Sequence, residues 1–276
     1  MDPAYRPETD DSPMLNTKGL SHFRMLTGSA QWAITLGRMD IGYATTMLSR
    51  FNMCPREGHL QGMLRIFGYL KGKSHGKILF DTRELPLDAV EFLDGSNWKL
   101  TYGDVKEDIP PNLPKQIMKP VTLSIYFDAS FACDMITRRS VTGIIVFVNS
   151  TPIRWYVKKQ NTVETSTYGA ELVAGRIATE MAIEFRYIFR MLGVPVKGPV
   201  HLFGDNKGMV QNCSMLSSQL KKKHNAIAYH RIRESVAAGI IKLGHVSSEK
   251  NLSDICTKAL PGPALHRLSK ELLFRK

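Results

Sequence analysis

The sequence predicts an α/β protein: a five-stranded mixed sheet flanked by helices and preceded by a small helical segment. Three observations lead there. From Val121 onward, apolar Val121, Leu123, Ile125 and Phe127 alternate with Thr122, Ser124, Tyr126 and Asp128, the period of two expected of a strand. Short apolar runs and helical-period stretches then follow in the order strand, strand, strand, helix, strand, helices, strand, helix. Before them, residues 20–70 place apolar side chains three and four apart. With 276 residues and 43% hydrophobic content, the chain can build two modest domains, each with its own core.

Taken in order, residues 1–14 are acidic and Pro-containing and are expected to be disordered. Residues 15–80 form the helical segment. Leu20, Phe23, Leu26, Ala30 and Ala33 recur at helical spacing, and Asp40 can cap a second helix through Ile41, Ala44, Met47, Leu48 and Phe51, which Pro55 ends. A third helix, residues 56–71, carries Leu60, Met63, Leu64, Phe67 and Leu70 on one face. Residues 81–120 read as a linker, because the run EDIPPNLPKQIMKP cannot sustain a helix or a central strand.

The sheet occupies residues 121–262. Strands over 143–148 and 152–157 follow the first closely enough for an antiparallel meander. A long helix over 166–192 shows a stripe of Val173, Ile177, Met181, Phe185, Ile188 and Leu192, ended by Gly193 and Pro195. Then come a strand at 200–204, helices at 206–213 and 225–238, a strand at 240–246 and a closing helix at 252–260, with 263–276 as a C-terminal tail. This succession matches the ribonuclease H-like fold.

Lys and Arg number 37 against 25 acidic residues, so a polyanionic partner is favoured. The four cysteines lack metal-binding or disulfide spacing and are expected as reduced core thiols. No apolar stretch reaches the roughly 20 residues of a membrane span, and residues 1–13 do not resemble a leader. An intracellular protein with no membrane partner is expected.

Four acids carry the chemistry. Asp128, Glu171, Asp205 and Asp254 each sit where a strand ends or a helix begins, in IYFDAS, TSTYGAELVA, FGDNKGMV and NLSDICTKAL. Carboxylates so placed can converge above one edge of a sheet and hold two divalent cations, the requirement for phosphodiester hydrolysis. Hard oxygen ligands suit Mg²⁺, with Mn²⁺ as a substitute, and no Cys/His cluster competes for zinc. Each acid also has a plainer reading. Asp128 can end a strand, Asp205 with Asn206 can cap a helix, and Glu171 and Asp254 can complement helix dipoles.

The motifs TRRSVTG, PIRWYVKKQ, ETSTYGAELVA, GDNKGMV, KKKHNAIAYHRIRE and LSDICTKALPG, in that order, resemble the C-terminal part of a copia-type retrotransposon Pol polyprotein. The segment RMDIGYATTMLSRFNMCPREGHLQGMLRIFGYLKG is similar to the stretch that follows the reverse transcriptase palm, the thumb or connection part. The resemblance implies a ribonuclease H that cleaves the RNA strand of RNA–DNA hybrids during reverse transcription. By motif position, Asp128, Glu171, Asp205 and Asp254 would be its catalytic and metal-binding quartet. Relatives often carry an acid where this chain has Ser130. The polymerase's own paired-aspartate turn is absent, so no polymerase activity is expected of this fragment. The upstream palm and fingers segment is an expected partner, and cytoplasmic virus-like particles, with access to the nucleus open, the expected location.

Basic and polar residues near strand ends are candidates for the nucleic acid. Arg138, Arg139 and Ser140 follow the first strand, and Lys158, Lys159 and Gln160 follow the third. Ser166, Thr167 and Asn206 are candidates for 2′-hydroxyl contacts, and Lys222, Lys223 and His224 for holding the hybrid. His245 is an auxiliary candidate for proton transfer. A transposase or integrase would place its Glu last on a late helix, whereas Glu171 comes second. The competing reading is a non-catalytic nucleic-acid-binding or polymerase-docking fragment, and hybrid cleavage separates the two.

Overall fold

The computed structural model describes residues 5–93, 97–220 and 223–274. Three helices open the chain: α1 (Thr17–Thr35), α2 (Gly42–Ser49) and α3 (Glu57–Gly72). Asn16 caps α1 by accepting from Gly19 N, and Phe23, Leu26 and Ala30 pack with Ile41, Leu48, Met63 and Ile66 into a small core. Asp40 does not cap α2. Its carboxylate is taken by Arg38 at 2.7 Å and by the Tyr69 hydroxyl at 2.8 Å, and a buried acid already paired has no oxygen aimed at the helix start.

The expected linker contains β1 (Glu91–Phe92) and the single-turn helix α4 (Lys99–Tyr102). The meander follows as β2 (Leu123–Ser130), β3 (Val141–Val148) and β4 (Thr151–Lys159). Then come α5 (Thr167–Met191), β5 (Val200–Gly204), α6 (Lys207–Ser214), α7 (Ala226–Ala237) and β6 (Ile241–His245). A 3-10 turn at Leu252–Cys256 and helix α8 (Gly262–Leu273) close the described chain.

The sheet has six strands in the order β1-β6-β5-β2-β3-β4. β2, β3 and β4 are antiparallel neighbours, while β2, β5 and β6 run parallel. That is the ribonuclease H-like arrangement, widened by β1, which pairs antiparallel with β6 through Glu91↔His245 and Phe92↔Gly244. Two residues are too few for a period, so the edge strand leaves no trace in the sequence.

Both faces of the sheet are covered. Leu123, Ile125, Phe127 and Ala129 face a core built with α5, α6 and α7. Tyr126, Ile145, Phe147 and Phe203 face a second core with Leu268, Leu272 and Leu273 of α8, and Met39 of the helical segment joins it. The tail is thus an amphipathic helix instead of an appendage, and the side of β2 that carries Asp128 is buried, not exposed to water. The helical segment also meets β4, where Trp155 Nε1 donates to Ile34 O at 2.7 Å.

Helix α5 turns a different face to the sheet than its large apolar residues predict. Ala170, Ala174, Ala178 and Ala182 are buried, while Ile188 and Leu192 are exposed. Small side chains let a helix lie close on a strand, so the inward stripe is the one with least volume. No helix among the described residues is long and apolar enough to cross a membrane. All four cysteines are free, with Cys213 and Cys256 buried, Cys133 half-buried and Cys54 exposed, so the core-thiol expectation fails at Cys54.

Candidate metal centre

The parallel pairing of β2 with β5 sets the geometry. Tyr126 stands opposite Phe203, so two residues further on Asp128 and Asp205 arrive at the same edge. The 3-10 turn brings Asp254 to them, and ligand atoms of Asp128, Asp205 and Asp254 all lie within 4.8 Å of one another. Asn251 fastens this turn to the sheet: its Nδ2 donates to Phe127 O at 3.1 Å while its Oδ1 accepts from Ser253 N and Oγ. Gly143, facing Asp128 across the β2–β3 ladder, leaves the turn room to sit there.

Glu171 enters from the second turn of α5, whose N-cap Ser166 accepts from Gly169 N. One carboxylate oxygen accepts from Ala129 N at 3.2 Å, and the other, Oε2, is buried with no hydrogen-bond partner. Burial first, then the charges of Asp128 and Asp205, push its pKa well above the usual carboxylate range. Asp254 is raised to about 7 by burial and by Asp128, with Lys258 pulling the other way. Carboxylates crowded this closely, with an orphaned buried oxygen among them, fit a divalent cation, whose charge offsets their repulsion.

Two residues that sequence reasoning missed complete the cluster. Thr257 Oγ1 donates to Asp128 Oδ2. The Lys258 ammonium lies 2.7 Å from Asp254 Oδ1 and 3.3 Å from Asp128 Oδ2. Burial works against its charge, yet the carboxylates of Asp128 and Asp254 more than offset that and hold its pKa above the ordinary lysine value. The signal was present in LSDICTKALPG: Thr257 and Lys258 follow Asp254 by three and four residues, a spacing that returns side chains to the same side of a turn.

The nucleic-acid candidates divide. Arg138, Lys158, Lys223 and Thr167 are exposed and Arg139 is half-buried, and none of the four basic side chains has an ion-pair partner among the described residues. Lys159 is paired with Asp134 at 3.0 Å, and His224 lies 3.6 Å from Glu164. Ser140 and Gln160 depart from the expectation of surface contact. Both are buried: Ser140 Oγ accepts from Ala132 N, and Gln160 Nε2 donates to Thr142 Oγ1 and Ala170 O. Groups so enclosed brace the strand ends and offer nothing to a phosphate. Ser166 and Asn206 serve as helix caps, the latter accepting from Met209 N at 3.0 Å. His245 faces Glu91 of the edge strand at 3.7 Å. Lys222 lies outside the described residues.

No protein-family model matches the chain. It is 30% identical over 256 residues to the retrovirus-related Pol polyprotein from transposon RE1 of Arabidopsis thaliana, a match that covers 91% of the chain and 15% of the polyprotein. It is 26% identical over 246 residues to the corresponding polyprotein from transposon TNT 1-94 of Nicotiana tabacum, covering 89% of the chain. The chain therefore spans about 15% of the length of these relatives. Among solved structures it is similar to RNase H1 of Halobacterium salinarum NRC-1, with 16% identity and a TM-score of 0.38, over 49% of this chain and 94% of that one.

Proposed function

From a chain that is homologous over 91% of its length to Pol polyproteins of copia-type retrotransposons, we propose a ribonuclease H that hydrolyses the RNA strand of RNA–DNA hybrids by endonucleolytic cleavage during reverse transcription. The observation that carries the reading is the meeting of Asp128, Asp205 and Asp254 at the ends of two parallel strands and on the adjoining 3-10 turn. Glu171 is the fourth member, its free oxygen held at the cluster by the bond from Ala129 N.

A pair of Mg²⁺ ions, or Mn²⁺, would supply the activation of water and the charge stabilisation of the leaving 3′ oxygen. The chain's own contribution is to hold the donors. Asp128 is fixed by its strand and by Thr257, Asp205 by β5 and the capped start of α6, Asp254 by the Asn251-anchored turn, and Glu171 by the start of α5. Lys258 balances the carboxylates and must turn away from Asp128 and Asp254 for cations to take its place. Arg138, Arg139, Lys158 and Lys223 supply sequence-independent charge for the phosphate backbone. Residues 15–80 act as the segment that joins this domain to the upstream palm, and the reaction takes place in cytoplasmic particles.

The test is cleavage of a labelled RNA strand paired to DNA, with and without Mg²⁺, and with Asp205→Asn as control. Metal-dependent cutting lost in the variant supports the reading; a protein that binds the hybrid and leaves the RNA intact in both Mg²⁺ and Mn²⁺ sinks it. That second outcome would favour a non-catalytic binding fragment, a reading to which the ammonium seated between Asp128 and Asp254 lends weight.

A further inference from the structure

Between the helical segment and the end of the sheet lies a cleft of about 420 Å³ that opens directly beside the carboxylate cluster. Arg6 of the N-terminal stretch and Tyr43 of α2 line it on one side, and Ser130, Cys133, Arg138 and Lys258 on the sheet side. Ser130 is two residues past Asp128 on the same strand, and Lys258 touches both Asp128 and Asp254. The cleft is therefore a continuation of the cluster along the surface, walled by two separate parts of the chain.

Its walls are held rigidly. Asp134 is buried and accepts from Ile136 N and Thr137 N through Oδ1, while Oδ2 pairs with Arg50 of the helical segment at 2.8 Å and with Lys159 of β4 at 3.0 Å. This hub pins the loop that presents Arg138, whose backbone adopts a left-handed φ of 55° with its N–H donating to Asp134 O. A non-glycine residue there costs on the order of 1 kcal/mol or more and persists only where its surroundings enforce it.

The charge in the cleft is one-sided. Glu8 is the one acidic residue lining it, and that carboxylate is buried and neutralised by Arg50 at 2.5 Å. Arg6 and Arg138 are exposed, and Arg138 has no ion-pair partner among the described residues. The Tyr43 hydroxyl has no hydrogen-bond partner among them either. Two guanidinium groups and a phenol around a concave, open space form a donor set matched to a phosphate.

We infer that this cleft is a subsite for a backbone phosphate neighbouring the scissile one, completed by Arg6 of the N-terminal stretch and Tyr43 of the helical segment. The inference rests on the hybrid-cleaving reading of the adjoining cluster, and it gives the helical segment a role in substrate binding beyond joining two domains. The contact reads no base sequence, so its loss weakens binding uniformly and makes binding less sensitive to salt.

The experiment is fluorescence anisotropy of a labelled RNA–DNA hybrid with the full chain in EDTA, over a salt series. Arg6→Ala, Arg138→Ala and their double variant are compared with Lys71→Ala, which lies outside the cleft. Each arginine variant is expected to weaken binding several-fold and to flatten the log affinity against log salt slope by about 0.7–0.9, the double variant by about twice that. Tyr43→Phe should weaken binding with the slope unchanged. Slopes and affinities of Arg6→Ala and Arg138→Ala equal to those of Lys71→Ala would overturn the subsite, even if Mg²⁺-dependent cleavage stands. A wild-type chain that does not bind the hybrid overturns the subsite and the function together. Normal salt effects in a protein that never cuts would leave the cleft in place and remove only the nuclease reading.

Discussion

Gly143→Ala should disturb the carboxylate cluster without touching any carboxylate. A Cβ at this position would lie 2.5 Å from Thr257 Cγ2, 2.7 Å from Cys256 Cβ and 3.0 Å from Ser253 O. Carbon atoms rest at about 3.5–4.0 Å, so the turn must retreat by about 1 Å. Neither side chain can swing aside, since Thr257 and Cys256 are both buried and Thr257 is bonded to Asp128. The backbone must move, and Asp254 and Lys258 move with it. Overpacking of this kind costs about 1–3 kcal/mol, offset by about 0.4–1 kcal/mol from the lower chain entropy of Ala in the unfolded state, a net loss of about 1–2 kcal/mol. Divalent affinity should fall on the order of tenfold, the scale seen when groups that orient metal ligands are altered. Urea denaturation measures the first quantity and calorimetric titration with Mn²⁺ the second. A variant with wild-type affinity for Mn²⁺ would refute the argument that this glycine sets the distance between Asp128 and Asp254, whatever happens to its stability.

Other outcomes follow from the same geometry. Glu107 bonds Arg186 and Arg190 at 2.5–2.9 Å. Although burial opposes its ionisation, the bonds from Arg190 and Arg186 lower its pKa to about 2. Its contribution is therefore fully present above the ordinary value of 4.5 and lost as pH falls through about 2. Glu107→Gln should cost on the order of 2 kcal/mol at pH 7, and that gap should close toward pH 2; a gap independent of pH in denaturation curves would count against the ion pairs. Leu272→Ala, in the last helix, should cost about 2–5 kcal/mol, and a loss below about 0.5 kcal/mol would mean α8 is not part of the core. Lys258→Met should destabilise the metal-free protein and enlarge the rise in melting temperature on adding Mn²⁺, since each tenfold gain in affinity appears as about 1.4 kcal/mol at saturation. Equal rises in variant and wild type would rule out competition between the ammonium and the metal.

Local pattern made much of this molecule legible. Val121 to Asp128 alternates because a pleated strand does, and β5 and the start of α5 were readable from apolar runs, caps and glycine or proline stops. Acids at chain ends marked Asp128, Glu171, Asp205 and Asp254 as candidates. The spacing of Lys258 from Asp254 places the two on one side of a turn, but that its ammonium also meets Asp128, a carboxylate from a different element, is decided only by packing. Ser140 and Gln160 looked like hairpin-end surface groups, yet the packing of α5 and β4 enclosed them.

The amino-acid sequence by itself determined the order of strands and helices from β2 to β6, the basic charge and the identity of four acids, because these depend on neighbours a few residues apart. Tertiary structure decided which faces are dry and which donors meet. The small-residue side of α5 was chosen by how closely it must approach β2, and the tail became α8 because the second face of the sheet needed an apolar cover. Likewise the cluster exists because parallel pairing of β2 with β5 aligns their ends, while a glycine on β3 lets a turn more than a hundred residues away settle against them. Contacts between such distant segments are fixed by packing and pairing across the whole chain, which no short stretch of it encodes.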